Sequence, residues 1–523
     1  YSNVVTSLEF ERMLSASGPF GGHVERASDG EPPKKLAFIQ CVGSRDEGID
    51  RNYCSSACCM FAIKQSIIAK EHSKELDASI FYMDIRAFGK DFDKYYDKAE
   101  NQYGVKFIRS KIADITELSD GSLDLKYTYE NGDLQHEVFD MVVLSIGLGP
   151  RQESRGLSED LDIRLNRFGF CQSETFGPLQ TSREGVFVCG AMNNPKDIPE
   201  SVISASGAVA NAVRLLDIER YDVSIGEDTA EEINVIGERP RVGVFVCHCG
   251  INIAGVVDVK NVAEFADDLA NVEHSEDVMY ACSTDCLETI KQRIEEHGLN
   301  RVVVAACTPR THEPLFRDTI SEAGLNPYLF EMANIRDQCS WAHMNEPERA
   351  TEKSRDLVEM GVSKARGLVP LKRLPIEIDP EALVIGGGLA GMTAALSVAD
   401  AGHDVYLIER EGVLGGNMRD IFFSFDDTDP QQFLARTIER VENHDRIRVL
   451  TDSTIEEIAG YVGNFRTMLT DGSGDREELT HGAVIVATGG AEHETEEYLY
   501  GSSSRIVTQK EFERMLHEGK FPA

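Results

Sequence analysis

Apolar positions along the chain fall into two rhythms, short unbroken runs and stretches with helical spacing, and they alternate. The runs Lys35–Cys41, Ala78–Met83 and Met141–Gly147 predict buried strands, and Met60–Glu71 between the first two predicts a helix. Further on, Val242–Cys247 and Val302–Ala306 predict strands with helices between them, and Thr351–Leu368 predicts a helical connector. From about Glu381 the order is strand, glycine turn, helix and a second strand, Val405–Glu409, which predicts a βαβ unit. The whole reads as α/β, with these boundaries: 1–222 as a first block, 223–240 as an acidic linker without apolar rhythm, 241–350 as a cysteine-rich domain, 351–380 as the connector and 381–523 as a dinucleotide-type block.

One stretch recurs. Val5-Thr6-Ser7-Leu8-Glu9-Phe10-Glu11-Arg12-Met13-Leu14 and Val507-Thr508-Gln509-Lys510-Glu511-Phe512-Glu513-Arg514-Met515-Leu516 agree at eight of ten positions, at an offset of 502 residues. So dense an identity points to an internal repeat and to a chain that enters one copy part-way and reaches the same point of the next. Position 1 is Tyr, so the start is not expected to be the native translation start.

Composition narrows the chemistry. With 89 Asp plus Glu against 53 Lys plus Arg, the formal charge is −36, which disfavours nucleic acid and anionic membrane surfaces as partners. No apolar run reaches the roughly 18 residues of a membrane span, and a soluble cytoplasmic chain without membrane insertion is expected. Twelve cysteines, some in pairs such as Cys58-Cys59 and Cys247-His248-Cys249, point to ligation in a reducing compartment rather than to disulfides.

Gly386-Gly387-Gly388-Leu389-Ala390-Gly391 lies between a predicted strand and helix. Gly386 permits the tight turn, Gly388 lets the backbone approach a pyrophosphate, and Gly391 allows the helix to pack closely on the strand. Glu409 follows 23 residues after Gly386, where an acid can accept from a ribose hydroxyl. This fingerprint predicts a bound dinucleotide without deciding between FAD and NAD. Leu414-Gly415-Gly416-Asn417 and the buried run Ala483–Thr488 into Gly489-Gly490 resemble features of two-dinucleotide-domain flavoproteins and favour FAD. Gly185-Val186-Phe187-Val188-Cys189-Gly190-Ala191, followed by Pro195 to Val202 with Pro199 and by the small-residue helix Ser204–Leu215, resembles the second FAD motif of thioredoxin-reductase-like flavoproteins. Ala191 stands where that motif usually carries an Asp for the ribityl chain, so this contact differs or is missing.

Cys41, Cys54, Cys58 and Cys59 offer four thiolates at a spacing that suits a [4Fe–4S] cluster; zinc or plain thiols are the alternatives. Cys247, Cys249, Cys282, Cys286, Cys307 and Cys339 are more than one site needs; Cys282 and Cys286 are expected together at a helix start, and at least one cluster is expected among the six. His312 and His343 are assigned no role.

The run from Cys41-Val42-Gly43-Ser44-Arg45 to Tyr53-Cys54-Ser55-Ser56-Ala57-Cys58-Cys59-Met60, with Pro195-Lys196-Asp197-Ile198-Pro199-Glu200-Ser201-Val202, resembles the flavin-domain cluster site of the heterodisulfide reductase A-subunit family, the FAD/iron–sulfur subunit. Val246-Cys247-His248-Cys249-Gly250, Ala306-Cys307-Thr308-Pro309-Arg310 and Gln338-Cys339-Ser340-Trp341 resemble its N-terminal cluster domain. The resemblance spans nearly the whole chain in permuted order: the tail of one flavin domain, the cysteine domain, then the head of a second, as in a tandemly duplicated member. It implies a Rossmann-type FAD domain beside a smaller α/β iron–sulfur domain. The implied cofactors are FAD and [4Fe–4S] clusters, at least one and more in keeping with two. It implies an oxidoreductase, the A-subunit of a CoB–CoM heterodisulfide reductase-like enzyme, acting as an electron-bifurcating flavin hub. The implied partners are other heterodisulfide-reductase-like subunits and a ferredoxin, hydrogenase or formate dehydrogenase type donor or acceptor, in an oligomeric assembly. It also implies a place for Lys64 near the reactive edge of the flavin, although Lys64 stands roughly 140° around the predicted helix from Cys59.

The family's ferredoxin insertion after a segment like Gly460-Tyr461-Val462-Gly463-Asn464-Phe465 is missing, because Arg466–Glu478 runs on without cysteine. Two rival functions stay open: an NAD(P)H-dependent flavoprotein disulfide reductase, for which a second G-x-G-x-x-G/A and a redox Cys-x-x-Cys are lacking, and a non-redox scaffold stabilised by metal. The two flavin-domain pieces either fold together or each complete a domain with further sequence; the second is expected.

Overall fold

The computed structural model describes residues 1–129, 132–216, 232–372, 376–426, 428–493 and 495–520. These divide into two compact units, one of residues 1–147 with 223–374 and one of residues 148–222 with 375–523.

The first unit holds two parallel sheets. Strands β1 (Val4–Thr6), β2 (Lys35–Val42), β3 (Asp77–Tyr82), β4 (Lys106–Arg109) and β8 (Met141–Ile146) form one in the order β1-β8-β2-β3-β4. Between β4 and β8 the chain makes an antiparallel meander of β5 (Asp114–Glu117), β6 (Leu123–Thr128) and β7 (Leu134–Phe139). The helix Cys58–His72 connects β2 to β3 and buries Ala62, Ile63, Ile67 and Ala69. Against that helix and the sheet packs Ser7–Leu14, whose Phe10 meets Phe38 edge-on at 5.5 Å.

The second sheet joins β9 (Val242–Cys247), β10 (Val272–Val278), β11 (Arg301–Ala306) and β12 (Phe330–Asn334) in the order β10-β9-β11-β12, all parallel. Helices on both faces bury these strands, so β9 and β11 are apolar nearly throughout, as a doubly covered parallel sheet requires. The connector is the helix Pro347–Arg366, which packs its Ala350, Val358 and Val362 on this sheet. Of the expected linker 223–240, residues 223–231 lie outside the described residues. The remainder is anchored: Val235 is buried in the core of the second sheet, and Glu232 accepts from Asn326 Nδ2 at 3.2 Å.

In the second unit β13 (Ala382–Ile385), β14 (Val405–Ile408), β15 (Ile447–Leu450) and β19 (Ala483–Val486) make a parallel sheet ordered β15-β14-β13-β19. Between β15 and β19 comes a meander of β16 (Thr454–Tyr461), β17 (Asn464–Thr470) and β18 (Arg476–His481). This unit therefore repeats the wiring that runs from β2 to β8: three parallel strands with helical crossovers, an antiparallel meander, then a strand returning beside the first. Residues 148–222 belong to the same unit; Phe176 stacks on Phe433 at 4.3 Å and Arg214 pairs with Asp400 at 3.4 Å.

Gly185–Ala191 forms a single bridge, from Phe187 to Gln180, with Val188 N–H donating to Leu179 O and Thr181 N–H to Val186 O within its own loop. One detail differs from the sequence reading. The small-residue helix begins at Ile198 rather than Ser204, since Asp197 and Glu200 cap each other reciprocally, at 2.9 and 2.8 Å, and Pro199 suits a first turn.

Candidate functional site

The glycine loop sits at the carboxyl end of β13, where an α/β sheet offers its ligand crevice. Gly386 has φ +110°, and a Cβ there would stand 2.4 Å from Ala487 O. At Gly391 a Cβ would stand 1.8 Å from Gly386 O, so helix Leu389–Asp400 reaches the strand only because this residue is glycine. Above Gly388 there is open space. Glu409 at the end of β14 is buried; its Oε2 accepts from Gly387 N–H at 2.7 Å and its Oε1 from Glu411 N–H at 2.9 Å. Each oxygen keeps a lone pair for a ribose hydroxyl.

The other glycine pairs complete this cradle. Gly415 N–H donates to Gly387 O at 2.9 Å, and Asn417 Nδ2 donates to Gly490 O at 2.8 Å, drawing the loops 415–417 and 489–490 to the first. Gly415, Gly416 and Gly489 all take positive φ. The donor set and the open approach at Gly388 fit a pyrophosphate-bearing cofactor. In the same unit Gly190 N–H donates to Ser204 Oγ at 3.0 Å; Ala191 follows in a short turn ahead of Pro199.

In the first unit the equivalent place, the loop after β2, carries thiols instead of glycines. A register shift between Ile39 and Val42 bulges β2, and Cys41 takes φ +61°, which turns it out of the ladder. The loop then runs to Ala57, the cap of helix Cys58–His72, whose first two residues are Cys58 and Cys59. Gly147 closes beneath it, where a Cβ would stand 2.7 Å from Ser55 Oγ. The four thiols sense one another. A hydrogen bond between Cys58 and Cys59 pushes the Cys58 thiol up and holds Cys59 down at about 7, and burial with the nearby thiols raises Cys41. Ser56 N–H donates to Cys54 Sγ at 3.3 Å, as backbone does to cluster-ligating sulfur.

Lys64, five residues beyond Cys59, pairs with Glu11 at 2.6 Å and is only half-buried. Gln65 Nε2 holds the other Glu11 oxygen at 2.9 Å. Burial works against the Glu11 carboxylate, but the hydrogen bonds from Lys64 and Gln65 keep its pKa below the usual range.

The remaining thiols line the carboxyl end of the second sheet. Cys247 ends β9, Cys249 follows it, Cys282 follows β10 and Cys307 follows β11. The chain leaves β9 for β10 on one side and returns to β11 on the other, so Cys247, Cys249 and Cys307 flank the switch point. Cys247, Cys286 and Cys307 share one buried cluster with Cys249 packed against it. Cys247 hydrogen-bonds Cys249, which goes down to about 6 with Arg336 also contributing; burial pushes Cys286 to about 11. Ala281 N–H donates to Cys247 Sγ at 3.4 Å. Gly250, at φ +55°, is needed here because a Cβ would meet Ala16 Cβ at 2.8 Å.

Two of the expected six behave differently. Cys282 is exposed and lies ahead of helix Thr284–Glu296, because Ser283 is the better cap and accepts from Cys286 N–H at 3.4 Å; only Cys286 enters the first turn. Cys339 is fully buried against the helix Pro347–Arg366, beside Ser354, in the core on the other face of the sheet. Among the described residues no three His, Cys, Asp or Glu side chains stand close enough to hold a metal ion as they are. Nothing in the sequence pattern pointed to Arg45 and Arg336, the cations beside the two thiol groups.

Residues 381–495 match the FAD dependent oxidoreductase family model, and residues 61–209 match pyridine nucleotide-disulphide oxidoreductase. The chain is 53% identical over 229 residues to the second iron-sulfur A-subunit of CoB–CoM heterodisulfide reductase from Methanopyrus kandleri, covering 44% of this chain and 35% of that one. It is 51% identical over 230 residues to a protein of Archaeoglobus profundus named as like the heterodisulfide reductase A-subunit, covering 44% and 33%. To the A-subunit of the H(2):CoB-CoM heterodisulfide,ferredoxin reductase of Methanothermobacter thermautotrophicus it is 48% identical over 233 residues, covering 44% and 35%. The match spans about a third of the length of these relatives. Among solved structures, T. acidophilum thioredoxin reductase aligns with a TM-score of 0.26 at 15% identity, over 40% of this chain and 57% of that one. Over the stretch it shares with these relatives, the chain is similar to heterodisulfide reductase A-subunits.

Proposed function

We propose that this chain is an electron-transfer oxidoreductase that binds FAD in the second unit and [4Fe–4S] clusters in the first, as the flavin subunit of a heterodisulfide-reductase-like complex. One observation carries the reading: two stretches of the chain share one wiring, and the loop after the first strand is a glycine cradle in one and a four-thiol loop in the other. A dinucleotide domain has been given thiols where its phosphate loop would be.

The bound flavin would supply conversion between two-electron and one-electron transfer. The chain's own residues do the rest. Gly386, Gly388, Gly391 and the helix behind them receive the pyrophosphate, while Glu409, Gly415, Gly416, Asn417 and Gly489 fix the cradle. Gly190 and Ala191 lie ahead of, and Pro199 in the first turn of, a helix whose N-terminal dipole favours negative charge. Cys41, Cys54, Cys58 and Cys59 hold one cluster, and four of Cys247, Cys249, Cys282, Cys286 and Cys307 hold a second; Cys339 is set apart by its burial against another face. Lys64, ion-paired with Glu11, is the candidate donor to a flavin edge.

The relatives are named as subunits, one of them of a ferredoxin reductase, which supports partner subunits here; a ferredoxin, hydrogenase or formate dehydrogenase type donor or acceptor is part of the proposal. Bifurcation and the tandem duplication belong to the same proposal. The repeat is matched locally: Thr6 with Glu9 and Thr508 with Glu511 form the same capping box. Anaerobic dithionite titration followed by visible absorption and EPR tests the reading. Flavin and reducible iron–sulfur signals are expected; colourless protein, zinc without iron, or rapid flavin reduction by NADPH would overturn it in favour of the scaffold or the disulfide reductase.

A further inference from the structure

The second unit contains a cavity of about 630 Å³ lined by Arg151, Ser154, Arg155, Glu159, Asn166 and Arg167, and none of its described lining residues belongs to the glycine loops. Three guanidinium groups thus meet one carboxylate, in a chain whose formal charge is −36. Among the described residues neither Arg151 nor Arg155 makes an ion pair, and Arg167 lies over the ring of Phe168 at 4.5 Å. The two segments that carry these arginines are pressed together: Gly169 takes φ +89°, and a Cβ there would stand 3.0 Å from Pro150 Cγ. Asn166 Oδ1 fixes the turn bearing Arg167 by accepting from Phe168 N–H at 3.0 Å and Phe170 N–H at 3.2 Å.

The helix Ser154–Leu161 begins at this cavity. Glu153, at its cap position, makes no side-chain capping hydrogen bond, and among the described residues the N–H groups of Arg155 and Gly156 meet no acceptor. Gly156 has open space where a Cβ would stand, so no side chain of its own covers these donors. Ser154 lines the cavity at 7% exposure, and its hydroxyl has no hydrogen-bond partner among the described residues. Ser158, one turn on and buried to the same degree, gives its hydroxyl to Arg155 O at 2.7 Å. Buried hydroxyls are ordinarily matched, so an unmatched one beside open N–H groups and unpaired guanidinium groups marks a place for acceptor oxygens.

A planar guanidinium matches two oxygens of a phosphate at once, and a helix start adds N–H donors and positive dipole. The volume falls within the roughly 300–1,000 Å³ of small-molecule sites and exceeds what a bare phosphate fills. Pro150 and Leu165 are the larger apolar groups at the wall, and no described lining residue offers an aromatic ring for a base to stack on. We propose that this cavity binds the phosphate group of a small, polar phosphate ester, its oxygens taken by Arg151, Arg155 and Arg167 and by the Ser154 hydroxyl with the first-turn N–H groups. The site depends on neither the flavin nor the clusters and gives the chain a ligand besides its redox groups.

Isothermal titration calorimetry of the full chain, with FAD added to fill the glycine cradle, tests it with ribose 5-phosphate and inorganic phosphate as probes. Ribose 5-phosphate is expected to bind more tightly than phosphate, and added salt to weaken both. Arg155→Gln and Arg167→Gln are each expected to weaken binding by about 10- to 100-fold while the melting temperature of the ligand-free protein stays in place. Arg155→Lys and Ser154→Ala weaken it less, because a point charge or the remaining donors still meet the phosphate. Should Arg155→Gln disturb its helix, Arg167→Gln, in a turn outside that helix, decides. Equal affinity for the two probes supports the site with free phosphate as its ligand. No binding of either probe at millimolar concentration overturns the proposal, and so does an affinity that neither arginine variant changes, because the anion would then sit elsewhere.

Discussion

Glu409 Oε2 accepts a hydrogen bond from Gly387 N–H at 2.7 Å, so the acid ending β14 holds the glycine loop ending β13. Sequence spacing points Glu409 at a ribose; the structure adds that it shapes the loop first. Loss of a charge-assisted hydrogen bond costs roughly 1.5–3 kcal/mol. Glu409→Ala is therefore expected to weaken FAD binding by about 10- to 100-fold, measured by flavin fluorescence, with Glu409→Gln less affected. Unchanged affinity in both would remove Glu409 from the site.

Gly388 and Gly391 separate binding from folding. Gly388 has open space where a Cβ would go, whereas at Gly391 that atom would stand 1.8 Å from Gly386 O. Gly388→Ala is expected to keep the melting temperature of the flavin-free protein and lose flavin. Gly391→Ala is expected to lower that melting temperature by several degrees, a destabilisation on the order of 1–3 kcal/mol.

Thiol substitutions divide the twelve cysteines. Serine at Cys41, Cys54, Cys58 or Cys59 is expected to lower bound iron by about one four-iron cluster per chain. Cys339→Ser, at a thiol buried beside Ser354, and Cys171→Ser, buried in the second unit, are expected to leave iron content unchanged. Iron loss in Cys339→Ser would show that ligation reorganises the π-helical turn Arg336–Ser340.

Stability of the second unit is expected to depend on His481. The ring is buried in the meander, bonded to Thr467 Oγ1 at 2.8 Å and Ala483 O at 3.2 Å, and burial depresses its pKa below 6.5. The unfolded chain then takes up a proton before the folded one does. Stability is full above about pH 6.5 and falls as the pH drops from there to the depressed folded value. Thermal melts across about pH 5–8 should show this loss, and His481→Gln should flatten it.

Much of this was legible in the chain. The strands of the first sheet, the βαβ unit and the glycine loop each announce themselves locally, by apolar runs and by residues whose backbone freedom the turn requires. The helix start was missed although its signal is local: Ile198–Leu216 begins early because Asp197 and Glu200, three residues apart, cap each other. What the sequence hid otherwise depends on distant partners. Spacing could not tell Cys339, buried beside Ser354, from the thiols across the sheet, nor bring Arg336 to Cys249 across 87 residues of sequence.

Electron exchange between flavin and thiolate-held clusters is the property on which the proposed function stands or falls. The direct measurement adds dithionite, short of full reduction, to anaerobic protein of known flavin, iron and sulfide content and follows flavin absorption and cluster EPR together. Iron and sulfide in equal amounts are expected beside bound FAD, with added electrons shared between flavin and clusters according to their potentials and redistributed when Cys41→Ser removes one cluster. A flavin that reduces and reoxidises with the cluster signals unmoved, or a protein without iron, would contradict it.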